Sequence, residues 1–287
     1  MRDRIDILVD LTSHMAGGRL LVFARKPAPV QISCLGYPAS TGLPMIDYRI
    51  TDGDLEPSTD RSHSAERPLR LSRTLWCYVP QSEEQSLETP VGRNGYVTLG
   101  SLNGLAKLSE PTIVLWSRIL QMVKGSRLVL MINDLALAGD IVSRFGRYGV
   151  DANRLELVGR QEQHDYLRLY CEIDLALDPL PYNGHTTTCD ALWMGVPVAS
   201  LVGRTTVGRA GLSLLSSIGL QELVARDEGA YVELVSSLAS DMKRLKYFRA
   251  EMRARLRRSP VMDHLGYTRE VESLYREVWT RWCGTAS

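Results

Sequence analysis

The run Pro181-Tyr182-Asn183-Gly184-His185-Thr186-Thr187-Thr188-Cys189-Asp190 gathers hydroxyls, an imidazole and a carboxylate around one turn. An apolar stretch over 173–180 ends there at Pro181 and Gly184, three threonines follow, and apolar periodicity predicts a helix over 188–194. The first N–H groups of a helix have no partner within it and lie at the positive end of its dipole. A phosphate or diphosphate is therefore favoured at this place, with the Thr186 and Thr187 hydroxyls and His185 as further donors. The same threonines also suit an ordinary helix cap, their commoner use.

Other chemistries leave weaker traces. Asp52-Gly53-Asp54 has the D-x-D form with which paired carboxylates hold a divalent metal and a diphosphate, but three residues before Pro57 read as a surface turn. No His/Cys group has zinc spacing, and no G-x-S-x-G elbow is present. Five cysteines, Cys34, Cys77, Cys171, Cys189 and Cys283, are scattered without C-x-x-C spacing and read as reduced thiols.

Composition bounds the partners. The chain has 287 residues, is 44% hydrophobic and carries a net charge of +1, enough for one large core or two and without a surface suited to nucleic acid. The basic stretch 244–258 is interrupted by Glu251 and reads as the solvated face of a helix. No run approaches the ~20 apolar residues of a membrane span, and the Met1 end lacks a signal peptide's apolar stretch. A soluble, cytoplasmic protein is expected, with neither nucleic acid nor membrane as partner.

The elements that must position the turn follow from patterning. In the first part, strands are predicted over 5–9, 30–35 and 47–52, a helix over 19–24, and one more strand within 71–80 after a polar segment at 57–66. A strand that begins at the fifth residue implies that Met1 lies inside a longer architecture and that the first sheet is incomplete. Polar residues 83–94, with Glu83, Glu84 and Glu88, form the linker. Beyond it, strands at 96–101, 127–132, 154–158, 173–177 and 197–201 alternate with helices at 111–123, 138–148, 162–170 and 188–194. Such alternation predicts βαβ units, a parallel sheet and a doubly wound α/β fold, whose ligands sit beyond the carboxyl ends of the strands. The loops 103–107 and 179–188 both fall at that edge. The predicted units are a first lobe over 1–82, the linker over 83–94, a second lobe over 95–262 and a closing helix over 263–287 that crosses back to the first lobe.

Longer matches add a family. Phe23-Ala24-Arg25-Lys26-Pro27-Ala28-Pro29-Val30-Gln31, Leu35-Gly36-Tyr37-Pro38-Ala39-Ser40-Thr41-Gly42 and Asp47-Tyr48-Arg49-Ile50-Thr51-Asp52 resemble part of the amino-terminal catalytic lobe of the protein O-linked N-acetylglucosamine transferases, glycosyltransferase family 41. Gly184-His185-Thr186-Thr187 with Asp190, the pair Asn103 and Lys107, and the helix over 267–282 are similar to the carboxyl-terminal lobe, so the resemblance covers nearly the whole chain. It implies an α/β fold of GT-B type, with two Rossmann-like lobes, the first incomplete. It also implies inverting transfer of a sugar, N-acetylglucosamine first, from UDP to Ser or Thr of a protein acceptor, with no metal and no other cofactor.

Residue by residue, the resemblance implies that Lys107 and the Thr186 and Thr187 groups hold the diphosphate, that His185 lies beside sugar and phosphate, and that Asp190 holds the ribose. Lys107 and His185 are the residues expected to act at the reacting atoms. His164 is expected near the uracil, while Arg19, Leu35, Gly36, Tyr37 and Pro38 are expected to face the donor from the first lobe. Three positions depart from the family pattern: Gly104 replaces a frequent glutamine, Gln161 replaces a lysine beside the ribose, and Tyr182 fills a usually small position. Glucose or a deoxyhexose, on UDP or another nucleotide, therefore stays open. The family's upstream tetratricopeptide helices and histidine-bearing first segment have no counterpart here, and His14 is the one nearby residue able to accept a proton. The expectation is that the chain alone transfers sugar poorly, and that a partner chain or second copy covers the first lobe. A non-catalytic nucleotide-sugar-binding or assembly module is the alternative.

Overall fold

The computed structural model describes residues 4–57, 64–84 and 86–286. Most of the polar segment 57–66 and the first three residues lie outside the described residues. Four short strands, β1 Ile7–Asp10, β2 Val30–Ser33, β3 Tyr48–Asp52 and β4 Arg67–Leu71, pair in parallel in that order, with helix α1 Leu20–Phe23 joining the first two. Strands β2 and β3 are buried along their whole length, as expected of a parallel sheet covered on both faces. The strand expected within 71–80 is instead β4, which ends where that range begins. Its Arg67-Pro68-Leu69-Arg70 sequence hides it: Pro68 is tolerated because β4 is an edge strand, where a missing N–H breaks no ladder on the open side.

The second sheet is built from β5 Thr98–Ser101, β6 Arg127–Ile132, β7 Leu155–Gly159, β8 Leu175–Leu177, β9 Val198–Leu201 and β10 Val224–Ala225. The helices of this half are α2 Pro90–Asn94, α3 Glu110–Met122, α4 Ala138–Gly146, α5 Gln163–Leu169, α6 Thr186–Trp193, α7 Ala210–Ser217, α8 Glu228–Ser240, α9 Met242–Arg257 and α10 His264–Ala286. Helix α2 lies inside the stretch read as linker; Pro90 opens it, and Gly95 closes it in the left-handed conformation that glycine adopts at no steric cost. All strands are parallel in the order β10-β9-β8-β5-β6-β7. The chain winds outward from β5 to β7, then returns to lay β8 on the other side of β5. Ligand crevices form at this reversal, beyond the carboxyl ends of β5 and β8.

One cluster of buried apolar residues runs through both lobes, from Val30 to Val278. Helix α10 packs on β2 and β4, burying Val278 completely and placing Tyr267, Val271, Leu274 and Tyr275 against the core. Its start is tied to the segment after β4: the Ser72 N–H donates to the Glu270 carboxylate, and Arg73 pairs with Asp263 at 2.6 Å. No helix among the described residues is long and apolar enough to cross a membrane.

Two expectations are corrected here. The basic stretch 244–258 is not wholly a solvated face, because Arg249 and Arg253 of α9 are buried. The Arg249 guanidinium donates to the carbonyls of Tyr170 and Met194, and that of Arg253 to Trp193, Glu83 and Glu84. These include carbonyls left open where α5 and α6 end, which explains how two guanidiniums are accommodated inside. Likewise only Gly53 and Asp54 of the D-x-D stretch are exposed, whereas Asp52 is buried. Oδ1 of Asp52 accepts from the N–H groups of Asp54 (3.0 Å) and Leu55 (2.8 Å), an arrangement that closes the turn after β3.

Candidate functional site

The chain leaves β8 through Asp178, whose buried carboxylate accepts from the Gly184 N–H at 2.6 Å and from Ser200 Oγ at 2.7 Å. That bond folds residues 179–183 into a tight loop. Asn183 holds it from within, donating from Nδ2 to Pro179 O (3.1 Å) and accepting from Gly211 N–H (3.2 Å). Glycine is required at 184: a Cβ there would lie 2.6 Å from both Thr187 Oγ1 and Thr188 Oγ1. Helix α6 then begins at Thr186, two residues earlier than expected, and the His185 side chain does not cap it. The helix thus starts in the loop beyond the carboxyl end of β8, at the reversal point of the sheet.

The loop after β5 supplies the cation. Lys107 sits at the end of a short 3-10 turn, Leu105–Lys107. Its Nζ donates to Asn183 O at 2.6 Å and to Asn103 Oδ1 at 3.4 Å, and lies 4.0 Å from the Tyr182 ring centroid. The same Asn103 oxygen accepts from Thr187 Oγ1 at 3.0 Å, so lysine, amide and helix start form one cluster. Burial pushes the Lys107 ammonium down to about 8, against the pull of Asp178. Asp178 is itself pushed up to about 6 by burial, against its hydrogen bonds and Lys107. Burial, with a smaller push from Lys107, takes His185 down to about 3, so its imidazole is neutral.

The first lobe closes over this cluster with aromatic rings. His185 packs between Trp76, 4.8 Å away by ring centroids, and Tyr182, 5.2 Å away. Tyr182 meets the edge of Tyr37 at 5.7 Å, and Tyr37 meets His14 at 5.5 Å. A cavity of about 270 Å³ lies here, lined among others by Met15, Leu35, Gly36, Trp76, His185 and Thr186. Leu35 reaches it in a left-handed conformation with φ of 70°, which a branched residue holds only under constraint. Gly36 admits no side chain, since a Cβ would stand 2.1 Å from Leu11 O. Pro38 of the same motif is buried.

Asp190, on the inner side of α6, is held by residues that motif reading passed over. Its carboxylate accepts from the hydroxyls of Tyr78 (2.7 Å) and Tyr166 (2.9 Å). Tyr170 is within 3.1 Å of Tyr166 by hydroxyls and donates to Thr187 O at 2.9 Å, tying α5 to the opening turn of α6. Burial raises the Asp190 carboxyl above its ordinary value, and the two hydroxyls oppose that rise. The spacing of Tyr166 and Tyr170, four apart on one helix face, was the available signal.

Three expected residues are not bonded to this cluster. His164 is exposed between Asp165 (3.3 Å) and Glu84 (3.2 Å), and those carboxylates hold its proton more firmly than usual. Gln161 is exposed and donates to Gly159 O at 3.2 Å. Arg19 is exposed, donates to Gly17 O at 3.2 Å, and lines a separate depression beside His14.

Comparison with known proteins places this geometry among relatives. The family model for glycosyl transferase family 41 matches residues 1–78 and 93–271. A probable UDP-N-acetylglucosamine–peptide N-acetylglucosaminyltransferase, SPINDLY, of Solanum lycopersicum is 39% identical over 286 residues, covering 98% of this chain and 31% of that protein. An O-GlcNAc transferase mutant of Thermobaculum terrenum superposes on all of this chain and 55% of its own, with a TM-score of 0.90 and 38% identity. A HepE protein of Anabaena, solved with UDP, shares the fold at a TM-score of 0.59 and 11% identity, over 95% of this chain and 79% of its own. The chain thus spans about a third of the length of the curated relatives it matches.

Proposed function

The chain belongs to glycosyltransferase family 41, and on that premise we propose that it binds a UDP-sugar, UDP-N-acetylglucosamine first, and presents the sugar to a Ser or Thr hydroxyl of a protein. The observation that carries the reading is the convergence of Lys107, Asn103 and the uncapped start of α6 at the point where the sheet order reverses. In an inverting transfer the acceptor oxygen bonds to the anomeric carbon as the bond to the diphosphate breaks, and UDP leaves with the electron pair. The growing charge on the diphosphate needs positive partners fixed beforehand. The Lys107 ammonium and the α6 N–H groups supply them, so a divalent metal is not required in this reading. His185, neutral and wedged between two rings, forms a wall at the sugar side and has an N–H to donate.

Asp190 is proposed to meet the ribose, with Tyr78 and Tyr166 keeping its oxygens in place. Tyr37 and Leu35 form the facing wall, and Tyr182 narrows the space beside them. Calorimetric titration with UDP, GDP and several UDP-sugars, each with and without a chelator, tests the donor site. Transfer to Ser/Thr peptides then tests the activity. Binding of UDP that is lost in Lys107→Ala and indifferent to chelation supports the reading; no binding of any of these nucleotides, or binding abolished by the chelator, removes it.

A further inference from the structure

Nothing bonded to His185 Nε2 fixes the ring: the atom is buried without a hydrogen-bond partner. Its orientation therefore depends on the rings beside it, and Trp76 is the nearer of the two. The indole is in turn gripped from a distance. Trp76 Nε1–H donates to Ser213 Oγ of α7 at 2.7 Å, and Ser213 Oγ–H donates to Asp52 Oδ2, at the end of β3, at 2.6 Å. An indole N–H only donates and a carboxylate only accepts, so the hydroxyl between them has a single usable direction. The same Asp52 oxygen accepts from Leu75 N–H at 2.9 Å. Asp52 thus holds the backbone next to Trp76 and, through Ser213, the far edge of its ring. All three side chains are buried.

We propose that Asp52 and Ser213 are positioning residues that act through Trp76 to set the His185 ring, so that docking of the first lobe on α7 aims the imidazole over the start of α6. Asp52 belongs to the first sheet and Ser213 to the second lobe, and their bond crosses between lobes. The turn after β3 is then part of the site's framework without touching a ligand. The effect on donor binding rests on the function proposed above, but the seating of the ring does not.

The two are separated by experiment. The chain has five histidines, few enough for the His185 Hε1 resonance to be assigned by comparison with His185→Gln. Ser213→Ala and Trp76→Phe each displace that resonance while leaving His264 in place, and Ser213→Ala adds nothing further in the Trp76→Phe background. Ser213→Thr, which keeps the hydroxyl, restores the wild-type position. UDP Kd rises roughly 2- to 10-fold in Ser213→Ala, the range of one net hydrogen bond. A lowered melting temperature with an unmoved His185 resonance in both single variants overturns the proposal, because the bonds then serve stability alone. So does displacement in Trp76→Phe without any in Ser213→Ala. Should Ser213→Ala not fold, Asp52→Asn with the same resonance decides between the same outcomes. Absence of UDP binding by the wild type removes the functional reading and leaves the resonance test intact.

Discussion

Lys107 is the residue on which most rests. It is partly buried, bonded to Asn183 O and stacked over Tyr182, so its ammonium is both directed and poorly solvated. Replacing it by Ala should weaken UDP binding by about 1.5–3 kcal/mol, the range for a hydrogen bond to a charged group. The pH dependence follows from its depressed value of about 8. Below that pH the lysine is charged and ready; above it, binding a phosphate anion requires a proton to be taken up. Affinity is therefore expected to fall as pH rises through about 8, with proton uptake growing above that pH and largest between the free lysine's value and the higher one it takes beside the bound anion. Calorimetry in two buffers of different ionisation enthalpy measures that uptake directly, and a flat profile with no uptake counts against Lys107 as the phosphate partner. His185, held down to about 3, contributes nothing over this range.

Helices α5, α6 and α9 form the frame behind the site, and the frame is polar where it is most hidden. Arg253 donates to Trp193 O at 2.8 Å and to the carbonyls of Glu83 and Glu84, fastening the strap between the lobes to the end of α6. Trp193 Nε1–H adds a bond to Ser82 O at 2.5 Å. Arg253→Met leaves the buried Trp193 carbonyl without this donor, at about 1–3 kcal/mol for a desolvated group, and also removes the donor from the partly buried carbonyls of Glu83 and Glu84. A net loss of about 2–4 kcal/mol in urea unfolding is expected, and a loss within 0.5 kcal/mol, the level of ordinary surface changes, contradicts the strap. The periodicity of α9 did not reveal this role. Its charges are spaced like those of a solvated helix, and only the packing of α6 and α8 against it, with the turn after α5, decides which guanidiniums are enclosed.

Across the whole molecule the two lobes share one core, and α10 returns to pack on the first sheet. The cavity beside His185 has walls from both lobes, Leu35 and Gly36 on one side and Thr186 on the other. A donor nucleotide bound there should stabilise the chain as a unit. At a hundredfold excess over Kd the gain is about 2.7 kcal/mol, read as an upward shift of a single thermal transition. The shift is expected to be the same in excess chelator. A second transition left at the unliganded temperature would show that the lobes unfold separately and that the nucleotide engages one of them alone.

What the sequence by itself determined is what local chemistry determines. Alternating apolar strands and helices over 96–201 required a parallel doubly wound sheet, and the loop-to-helix turn at Gly184, His185 and Thr186 was readable because capping and helix dipoles act within a few residues. Strand β4, with its arginines and proline, and the two-residue β10 carry no such period and were missed. Only tertiary structure brought β5 beside β8, and so Lys107 beside Thr187. Only it joined Asp52 to Ser213, 161 residues away, and Tyr78 to Asp190, 112 residues away. Those partners are chosen by burial and by the need to satisfy every enclosed donor and acceptor, conditions that arise only once distant segments have packed together.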